Sequence, residues 1–413
     1  MALRASLPRR SALDSLLTKR PTDVVITTAL RTPIARMGKG FKHMYPEELL
    51  SHVYTHTRKR LESRGIDLEL IEDVCAGTVL AELGGAKSGR LAALHSGLPI
   101  SAAYRTTNRQ CASGLQSISD IGAAIQTGSI KCGVAAGFDS MSRDWETKAI
   151  PVKLSPAMKD SPVQEARDCL MSMGLTSENV AERYGVGRDR QDAFAAQSHQ
   201  RAGKAQKDGR LGGEIVPIEV RWVEEDGSET KRVVEHDEGI RHGTTVEKLS
   251  TLKPVFKADG CSTAGNSSQV SDGAVALTLC RRDLAESSGM EVLGKWVGTS
   301  VAGVRPDEMG IGPAKSTPKL LERYGLGVGE VDLWEINEAF ASQILMTIDS
   351  LGLDESKVNV KGGAISLGHP LGASGGRLVT SLLSELRRTG QKVGVAALCC
   401  GTGYGVSSLF VAE

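Results

Sequence analysis

Hydrophobic positions follow two different periods along most of the chain. Short apolar runs at Val24–Thr28, Val74–Leu80 and Gly133–Gly137 predict buried strands. Between the last two runs, residues 112–127 carry apolar side chains at helical spacing, and a helix is also predicted near Glu47–Leu61. Strands that alternate with helices predict an α/β architecture with a largely parallel sheet.

The pattern changes between residues 141 and 269. This stretch predicts charged helices, such as Arg188–Lys207, and a hairpin around Glu225–Glu229. We interpret residues 141–269 as an inserted loop domain. It interrupts a first half made of residues 22–140 and 270–291, and residues 292–413 form a second half.

An internal repeat supports two related halves. The tetrapeptide Cys111–Gly114 is echoed by Gly372–Gly375, and Gly133–Ala136 by Gly394–Ala397, both 261 residues later. A repeat of this length predicts two similar α/β units rather than a solenoid of short units. If the halves pack about a pseudo-twofold axis, the loops after equivalent strands converge on one site.

Composition excludes several classes of protein. The 413 residues include 50 Lys and Arg against 49 Asp and Glu, and this balance argues against binding to nucleic acid. No apolar stretch is long enough to predict a membrane span. The eight cysteines form no Cys-x-x-Cys pair, which predicts free thiols and no bound metal.

The first 21 residues form a basic N-terminal arm. Within the first 20, five Lys or Arg residues accompany a single acid, Asp14. This composition is typical of an import presequence, and a frayed basic arm has the same composition.

Cys111 is the first candidate for chemistry. It lies in Asn108–Gly114, at the start of a predicted helix, where unpaired N–H groups and the helix dipole lower the pKa of a thiol. A small buried cysteine of no chemical role is the alternative.

Three further segments carry polar groups beside predicted strand or helix ends. His369 lies in a tight Gly- and Pro-flanked loop and can act as a base, or it is a surface histidine. Cys399 begins a glycine-rich segment whose N–H groups can approach a ligand, or which simply turns into a final strand. Asn337–Phe340 follows the predicted strand Val331–Ile336 and either orients water or caps a helix.

Together these segments resemble the thiolase family, from about Arg20 to the C-terminus. Asn108–Gly114 resembles the family's nucleophile motif, and Asn337–Phe340 its water-holding motif. Gly368–Pro370 and Cys399–Gly405 resemble its histidine and second-cysteine motifs, and all four follow the family's order. Three other segments resemble the peroxisomal type of 3-ketoacyl-CoA thiolase: Met173–Ala181, Thr263–Gly273 and Met309–Ala314.

The resemblance implies a fold and an activity. The fold is a five-layer αβαβα arrangement of two duplicated halves with an inserted loop domain, assembled as a homodimer or tetramer. The activity is the cleavage of 3-ketoacyl-CoA by CoA in β-oxidation, with CoA as co-substrate and no permanently bound cofactor. The expected location is the peroxisome, with the mitochondrion as alternative, because residues 1–20 do not show the usual targeting nonapeptide.

The resemblance also implies residue roles. Cys111 is the nucleophile, its thiolate favoured by the helix start and by His369. Cys399 is the acid and base, and His369 with a water held by Asn337 stabilises an enolate. The N–H groups of Cys111 and Gly401 stabilise the tetrahedral oxyanion.

Four residues are implied in substrate binding. Ser268 faces the pantetheine and Arg241 the nucleotide end of CoA, while Met173 and Phe340 line the acyl or pantetheine tunnel. These residues lie in or next to the inserted loop domain and the water-holding motif.

The chain departs from the family pattern beside the site. Ser172 stands where the peroxisomal type usually has Pro and biosynthetic thiolases have His, and Cys400 and Tyr404 replace the usual Ile and Met. The alternatives are a biosynthetic acetoacetyl-CoA thiolase and a non-catalytic acyl or sterol carrier. Ser172 argues against the first, and the four intact polar groups argue against the second.

Overall fold

The structure is a computed structural model that describes residues 9–151, 153–224 and 226–413. The strands are β1 Val24–Arg31, β2 Ala35–Arg36, β3 Asp73–Gly77, β4 Ala103–Thr107, β5 Cys132–Ser140, β6 Ile218–Val223, β7 Glu229–Val234, β8 Ser271–Arg281, β9 Gly294–Gly303, β10 Leu333–Ile336, β11 Val393–Cys400 and β12 Tyr404–Ala412. The helices are α1 Arg9–Leu17, α2 Pro46–Glu62, α3 Ala86–His95, α4 Ser113–Gln126, α5 Met141–Lys148, α6 Pro156–Lys159, α7 Gln164–Asp168, α8 Met173–Tyr184, α9 Arg188–Lys207, α10 Val246–Ser250, α11 Arg282–Ser287, α12 Gly312–Tyr324, α13 Ala341–Leu351, α14 Ala364–Leu367 and α15 Leu371–Thr389.

The main sheet repeats one pairing order twice. Its hydrogen-bonded order is β10-β11-β12-β9-β1-β8-β5-β3-β4, and β2 pairs with β8. The order β3-β5-β8-β1 in the first half corresponds to β10-β11-β12-β9 in the second. The halves meet where β1 and β9 pair antiparallel, Val24–Ile26 against Gly294–Trp296. The duplication read from the sequence is therefore also a duplication of topology.

The prediction of a largely parallel sheet is wrong. Only the pairs β3–β4, β3–β5 and β10–β11 are parallel among the described strands. A three-residue turn at 401–403 joins β11 to β12, and a turn that short permits only antiparallel pairing. Strand β8 returns from the inserted segment and pairs antiparallel with β5.

Two helices lie between the halves of the sheet. One core cluster contains Leu115 and Ile118 of α4 and Leu378 and Leu382 of α15, together with strand residues of both halves. Helices α2 and α3 cover the outer face of the first half, and α12 and α13 the outer face of the second. The result is five layers, helix-sheet-helix-sheet-helix.

The N-terminal ends of α4 and α15 touch through glycine. A Cβ atom on Gly114 would lie 2.4 Å from the carbonyl oxygen of Gly372, and one on Gly375 would lie 2.1 Å from the amide nitrogen of Leu115. No other residue type allows this approach. The loops that precede the two helices are consequently held together, and they carry the nucleophile and histidine motifs.

The elements of residues 141–269 pack on both halves. Helix α9 has the predicted bounds, and strands β6 and β7 form the hairpin predicted around Glu225–Glu229. Glu225 itself lies outside the described residues. Helices α8 and α9 both pack against α13 of the second half. The hairpin instead contributes Ile218, Val220 and Val234 to the core cluster of the first half.

The basic arm is packed over part of its length. Residues 1–8 lie outside the described residues. In α1, Ala12 and Leu16 are buried, and Leu16 joins the core cluster of the second half. The Lys295 Nζ donates to the carbonyl oxygens of Leu16 and Thr18 at 2.6 and 3.0 Å. From Ala12 onward the arm is therefore docked rather than frayed.

No described helix is both long and apolar enough to cross a membrane.

Candidate active site

A strained turn places Cys111 before α4. Gln110 has φ +48°, which is unusual for a residue with a side chain, and its N–H donates to Asn108 Oδ1 at 3.0 Å. The Ser113 hydroxyl accepts from the Arg109 N–H at 2.9 Å and donates to the Gln110 carbonyl at 2.6 Å. These local hydrogen bonds hold the sharp turn that brings Cys111 to the helix start.

The Cys111 thiol is protonated at rest. Burial raises its pKa to about 11, although the N–H groups of Gly401 and of Cys111 itself act to lower it. The expected low pKa at the helix start is therefore wrong for the resting site, because the loss of solvation outweighs the two N–H groups. Both N–H groups nevertheless point to the Cys111 sulfur. They are the two groups that the resemblance implies as donors to the oxyanion.

Cys399 and Cys400 end β11 with their side chains in different clusters. Cys399 packs with Met309, Ala339 and Phe340, whereas Cys400 lies in the core cluster between the sheets. Burial, and then the neighbouring Cys111, raise the pKa of Cys399 above its usual range. Cys399 is therefore a protonated thiol beside Cys111, supplied by the other half of the fold.

The turn after Cys400 brings in Gly401. Thr402 has φ +68° and Gly403 φ +95°, and the Gly403 N–H donates to the Cys400 carbonyl at 3.2 Å. This tight reversal leaves the Gly401 N–H facing Cys111. The glycine-rich segment thus forms both a hairpin turn and part of the site, which unites the two sequence interpretations.

His369 and Asn337 form a buried polar pair. Asn337 Nδ2 lies 3.3 Å from His369 Nε2, and the Asn337 N–H continues the sheet by donating to the Ala397 carbonyl at 2.9 Å. On the other side of the ring, His369 Nδ1 lies 2.6 Å from Ser374 Oγ. Among the described residues, none donates to Asn337 Oδ1, although this atom is buried.

His369 is uncharged at neutral pH. Burial, and then the positive charge of Arg377, lower its pKa to about 3. The imidazole consequently does not supply a positive charge to favour a Cys111 thiolate. A neutral ring can accept a proton instead, and its Ser374 contact serves either tautomer because a hydroxyl both donates and accepts.

Three of the four expected substrate-binding residues lie beside this centre. The Ser268 N–H donates to the Ala339 carbonyl at 2.9 Å, which places Ser268 next to the water-holding motif. Phe340 and the partly buried Met173 pack in the same apolar cluster as Cys399. Met173 Sδ would lie 3.5 Å from a Cβ on Gly401, so it borders the turn of the second cysteine.

Arg241 is separate from the centre and exposed. Its N–H donates to His199 Nδ1 at 3.2 Å, and partial loss of solvation, and then the charge of Arg36, lower the pKa of its side chain. The nearby Gly239 carbonyl accepts from Gln269 Nε2 at 2.8 Å, next to Ser268. Arg241 and Arg36 therefore form a positive rim rather than part of the catalytic cluster.

Sequence reasoning missed two residues that contact the predicted set. Ser374 contacts the His369 ring. The two residues are five apart, across a loop and the start of a helix, so no periodic pattern in the sequence connects them. Asp139 is a buried carboxylate near the end of β5, and its negative charge acts with burial to raise the pKa of Cys111. In the described part of the chain, no three His, Cys, Asp or Glu side chains gather as metal ligands would.

Ser172 has a structural explanation. It is exposed at the start of α8, and its hydroxyl accepts a 3.4 Å hydrogen bond from the Leu175 N–H. Serine is a preferred residue at such helix starts. The substitution therefore places an N-cap immediately before Met173.

Comparison with known proteins identifies the family. Residues 24–283 match the model "Thiolase, N-terminal domain" and residues 290–412 match "Thiolase, C-terminal domain". The peroxisomal 3-ketoacyl-CoA thiolase of Yarrowia lipolytica is 48% identical over 403 residues, covering 97% of this chain and 96% of that protein.

Two solved structures from Saccharomyces cerevisiae are similar throughout. The dimeric peroxisomal thiolase superposes with a TM-score of 0.88 at 42% identity, covering 97% of this chain and all of that chain. A peroxisomal 3-ketoacyl-CoA thiolase described as five-layered, with two core domains of identical topology, gives a TM-score of 0.78 at 38% identity, covering 96% and 100%.

These findings confirm the predicted fold and enzyme class. The five layers and duplicated topology are those described for the yeast structure. The curated relatives carry the predicted activity and the predicted peroxisomal location in their names. The chain is an acyltransferase, and it belongs to the thiolase family.

Proposed function

We propose that this protein is a peroxisomal 3-ketoacyl-CoA thiolase, which cleaves 3-ketoacyl-CoA with CoA to acetyl-CoA and a shortened acyl-CoA. The observation that carries the proposal is the juxtaposition of two protonated thiols, Cys111 and Cys399, from opposite halves of the fold. A neutral His369 paired with Asn337 belongs to the same set of motif loops. A thiolase reaction needs a nucleophile, a second acid and base, and an enolate site.

The first step forms the acyl-enzyme. Cys111 gives its proton to His369 as its sulfur attacks the 3-keto carbon. Burial opposes this transfer at rest, because it raises the pKa of Cys111 and lowers that of His369, so the transfer is coupled to formation of the oxyanion. The new oxyanion accepts hydrogen bonds from the N–H groups of Cys111 and Gly401, which already face the sulfur. Each such donor contributes about 3–4 kcal/mol of transition-state stabilisation. Collapse then breaks the bond between C2 and C3, leaving the acyl group on Cys111 and an acetyl-CoA enolate.

The second step protonates the enolate carbon. The enolate oxygen accepts a hydrogen bond from His369, now able to donate from Nε2, and from a water held by Asn337. Cys399 donates its proton to C2 and acetyl-CoA leaves. Because burial raises the pKa of Cys399, the thiol holds its proton until a base as strong as an enolate forms.

The third step transfers the acyl group to CoA. The Cys399 thiolate takes the proton from the CoA thiol, whose sulfur attacks the acyl carbon on Cys111. The Cys111 thiolate leaves and recovers its proton from His369, so every group returns to its resting state. Ser374 supports this cycle because its hydroxyl can accept from, or donate to, His369 Nδ1 as the tautomer changes.

The inserted segment, residues 141–269, supplies the substrate site in this proposal. Ser268 contacts the pantetheine, and Met173 and Phe340 line the tunnel beside Cys399. Arg241, joined by Arg36, attracts the phosphates at the nucleotide end of CoA from the exposed rim. CoA acts as co-substrate, and the three steps above need no permanently bound group.

A homodimer is the proposed assembly. Strand β4 ends the described sheet, and α3 packs beside it. Leu83, Leu91 and Ile100 near this edge are exposed by 87%, 63% and 82%. Pairing two copies through this edge would cover the apolar side chains and the free backbone groups of β4. The similar yeast structure is described as dimeric.

The reaction is tested with 3-ketoacyl-CoA substrates from four carbons to long chains. Loss of the 3-ketoacyl-CoA chromophore and formation of acetyl-CoA should require CoA and should favour chains longer than acetoacetyl-CoA. Activity confined to acetoacetyl-CoA would move the enzyme to the biosynthetic group. No activity at any length would favour the carrier alternative.

Cys111→Ala should reduce thiolysis to background, because no acyl-enzyme can form without the sulfur. Mass spectrometry of the wild type, mixed with 3-ketoacyl-CoA and quenched, should show the acyl adduct on Cys111, and the variant should show none. Cys169→Ser, at a partly exposed cysteine that the proposal does not use, is the matched control and should retain wild-type turnover. Wild-type turnover in Cys111→Ala would refute the nucleophile assignment.

Cys399→Ser should slow thiolysis by about 100-fold or more, because a hydroxyl is too weak an acid and base for both proton transfers. The exchange of the acetyl-CoA α-protons with deuterated water, followed by NMR, should slow in parallel. Alkylation of Cys111 by iodoacetamide should continue, which shows that the nucleophile is intact. An unchanged exchange rate would argue that another group moves this proton.

Leu91→Asp should convert the protein to monomer, because the aspartate places a charge within the apolar patch beside β4. The mass in solution is measured by light scattering across a dilution series. Val233→Asp is the matched control, since Val233 is similarly exposed but lies on the β6–β7 hairpin. A dimer that survives Leu91→Asp would place the interface elsewhere.

A further inference from the structure

One carboxylate joins the two halves behind Cys111. Asp139 is the next-to-last residue of β5, is 1% exposed, and belongs to the first half. Its Oδ1 accepts from Thr78 Oγ1 at 2.8 Å and from the Leu80 N–H at 2.9 Å, and the Val79 N–H lies between both oxygens. Its Oδ2 accepts from the Gly372 N–H at 2.7 Å, in the second half.

The bond to Gly372 lies at the start of α15. The residue before this helix is Pro370, which provides no side-chain cap. The Asp139 carboxylate takes that role from the other half, where an anion is favoured by free N–H groups and by the helix dipole. Gly372 lies three residues after His369, so this cap fixes the segment that carries the imidazole.

Backbone packing around Gly372 leaves little freedom for another arrangement. A Cβ on Gly372 would lie 2.6 Å from the Gly77 carbonyl oxygen and 2.8 Å from Asp139 Oδ2. A Cβ on Gly137 would lie 2.1 Å from the Gly372 carbonyl oxygen. The start of α15 therefore packs directly against the carboxyl ends of the paired strands β3 and β5 of the first half, with Asp139 as its charged partner.

Of the two helix starts that the duplication makes equivalent, only that of α15 has a carboxylate as its cap; the start of α4 has none in the equivalent position. The residue 261 positions after Asp139 is Cys400, just as Gly372 follows Cys111 by 261. Burial raises the pKa of Cys400, and the Ala112 N–H at the start of α4, which lies near its sulfur, only partly opposes this. A thiol is a weak acceptor, whereas a carboxylate is a strong one. Only the helix that follows His369 receives a charged cap.

We propose that Asp139 is a positioning residue for thiolysis: it holds the His369–Gly372 segment of the second half in register with Cys111 of the first. This inference rests on the proposed thiolase reaction. Its consequence falls on the steps that use His369, which are proton transfer from Cys111 and stabilisation of the enolate. If Asp139 no longer accepts from Gly372, His369 and Asn337 lose their alignment with the substrate, while Cys111 keeps its own turn.

The test compares Asp139→Asn with the wild-type full-length protein. The amide is nearly isosteric but replaces one acceptor oxygen with a donor, so a bond to a backbone N–H is lost. The kcat of thiolysis should fall by about 10–100-fold, the cost of a displacement near 1 Å in an active site. The KM values for CoA and for 3-ketoacyl-CoA should stay within threefold of wild type. Exchange of acetyl-CoA α-protons should slow with kcat, and alkylation of Cys111 by iodoacetamide should slow as well, because His369 also receives the Cys111 proton.

Thr78→Val is the matched control, because it removes another donor to the same carboxylate and leaves the Gly372 bond in place. It should keep kcat within threefold of wild type. An equal loss in Thr78→Val would show that Asp139 anchors the loop after β3 rather than α15, and would overturn the proposal. So would an unchanged exchange rate in Asp139→Asn.

Thermal unfolding separates positioning from stability. Asp139→Asn should remain folded at the assay temperature. If it does not, Asp139→Glu gives the same comparison, since it keeps the acceptor but displaces it by one methylene. A wild-type kcat in Asp139→Glu would show that turnover does not depend on the position of this acceptor, and it would contradict the proposal. Failure of the wild type to cleave any 3-ketoacyl-CoA would reject the proposed function itself and this inference with it.

Discussion

The contact between the N-terminal ends of α4 and α15 is the constraint on which the rest of the structure depends. Two helices from duplicated halves meet between two sheets, and glycine at 114, 372 and 375 lets their backbones touch. The loops before the two helices carry Cys111 and His369. The same pseudo-symmetry brings the ends of the central strands β5 and β11 to this point, so a single site is assembled from both halves.

Desolvation decides the protonation states at this site. The helix start and two N–H groups act to stabilise a Cys111 thiolate, but burial outweighs them and leaves a thiol. Burial also keeps His369 uncharged and Cys399 protonated. Cys111, His369 and Cys399 are therefore all uncharged at rest, and protons move among them only when a substrate reacts. An exposed arrangement of the same residues would ionise according to the solvent pH instead.

The sequence was sufficient for the duplication and the main elements, because each depends on local pattern or on a matched spacing. The 261-residue repeat anticipated that β5 and β11, and α4 and α15, are equivalent. The direction of the strands was not predictable in this way. Strand β8 returns from a long insertion, and periodicity carries no information about the direction of that return. Desolvation of Cys111 was missed for a related reason, since it depends on what packs over the helix start.

The pattern of hydrophobic and polar residues also gave no indication of the contacts of Ser374 and Asp139. Each acts through one hydrogen bond whose partner is fixed by tertiary packing: the His369 ring for Ser374, and the Gly372 N–H for Asp139. The separation between Asp139 and Gly372 is 233 residues, and nothing in either segment indicates the other. Repeats reveal which elements are equivalent, but not which contacts cross between them.

Glu338 shows how the inserted segment is tied to the same centre. It follows Asn337 and is buried, and its carboxylate accepts from Ser198 Oγ of α9 at 2.7 Å and from Asn359 Nδ2 at 2.9 Å. It also accepts from the Ile365 N–H at 3.1 Å, in the short helix before His369. One carboxylate thus links the helix that leans over the site, the amide beside the imidazole, and the loop that holds the imidazole. Asp139 links the other end of that loop to the nucleophile side. The His369 segment is therefore fixed at both ends by buried carboxylates from different parts of the chain, which explains how a loop, rather than a regular element, can hold a catalytic group in place.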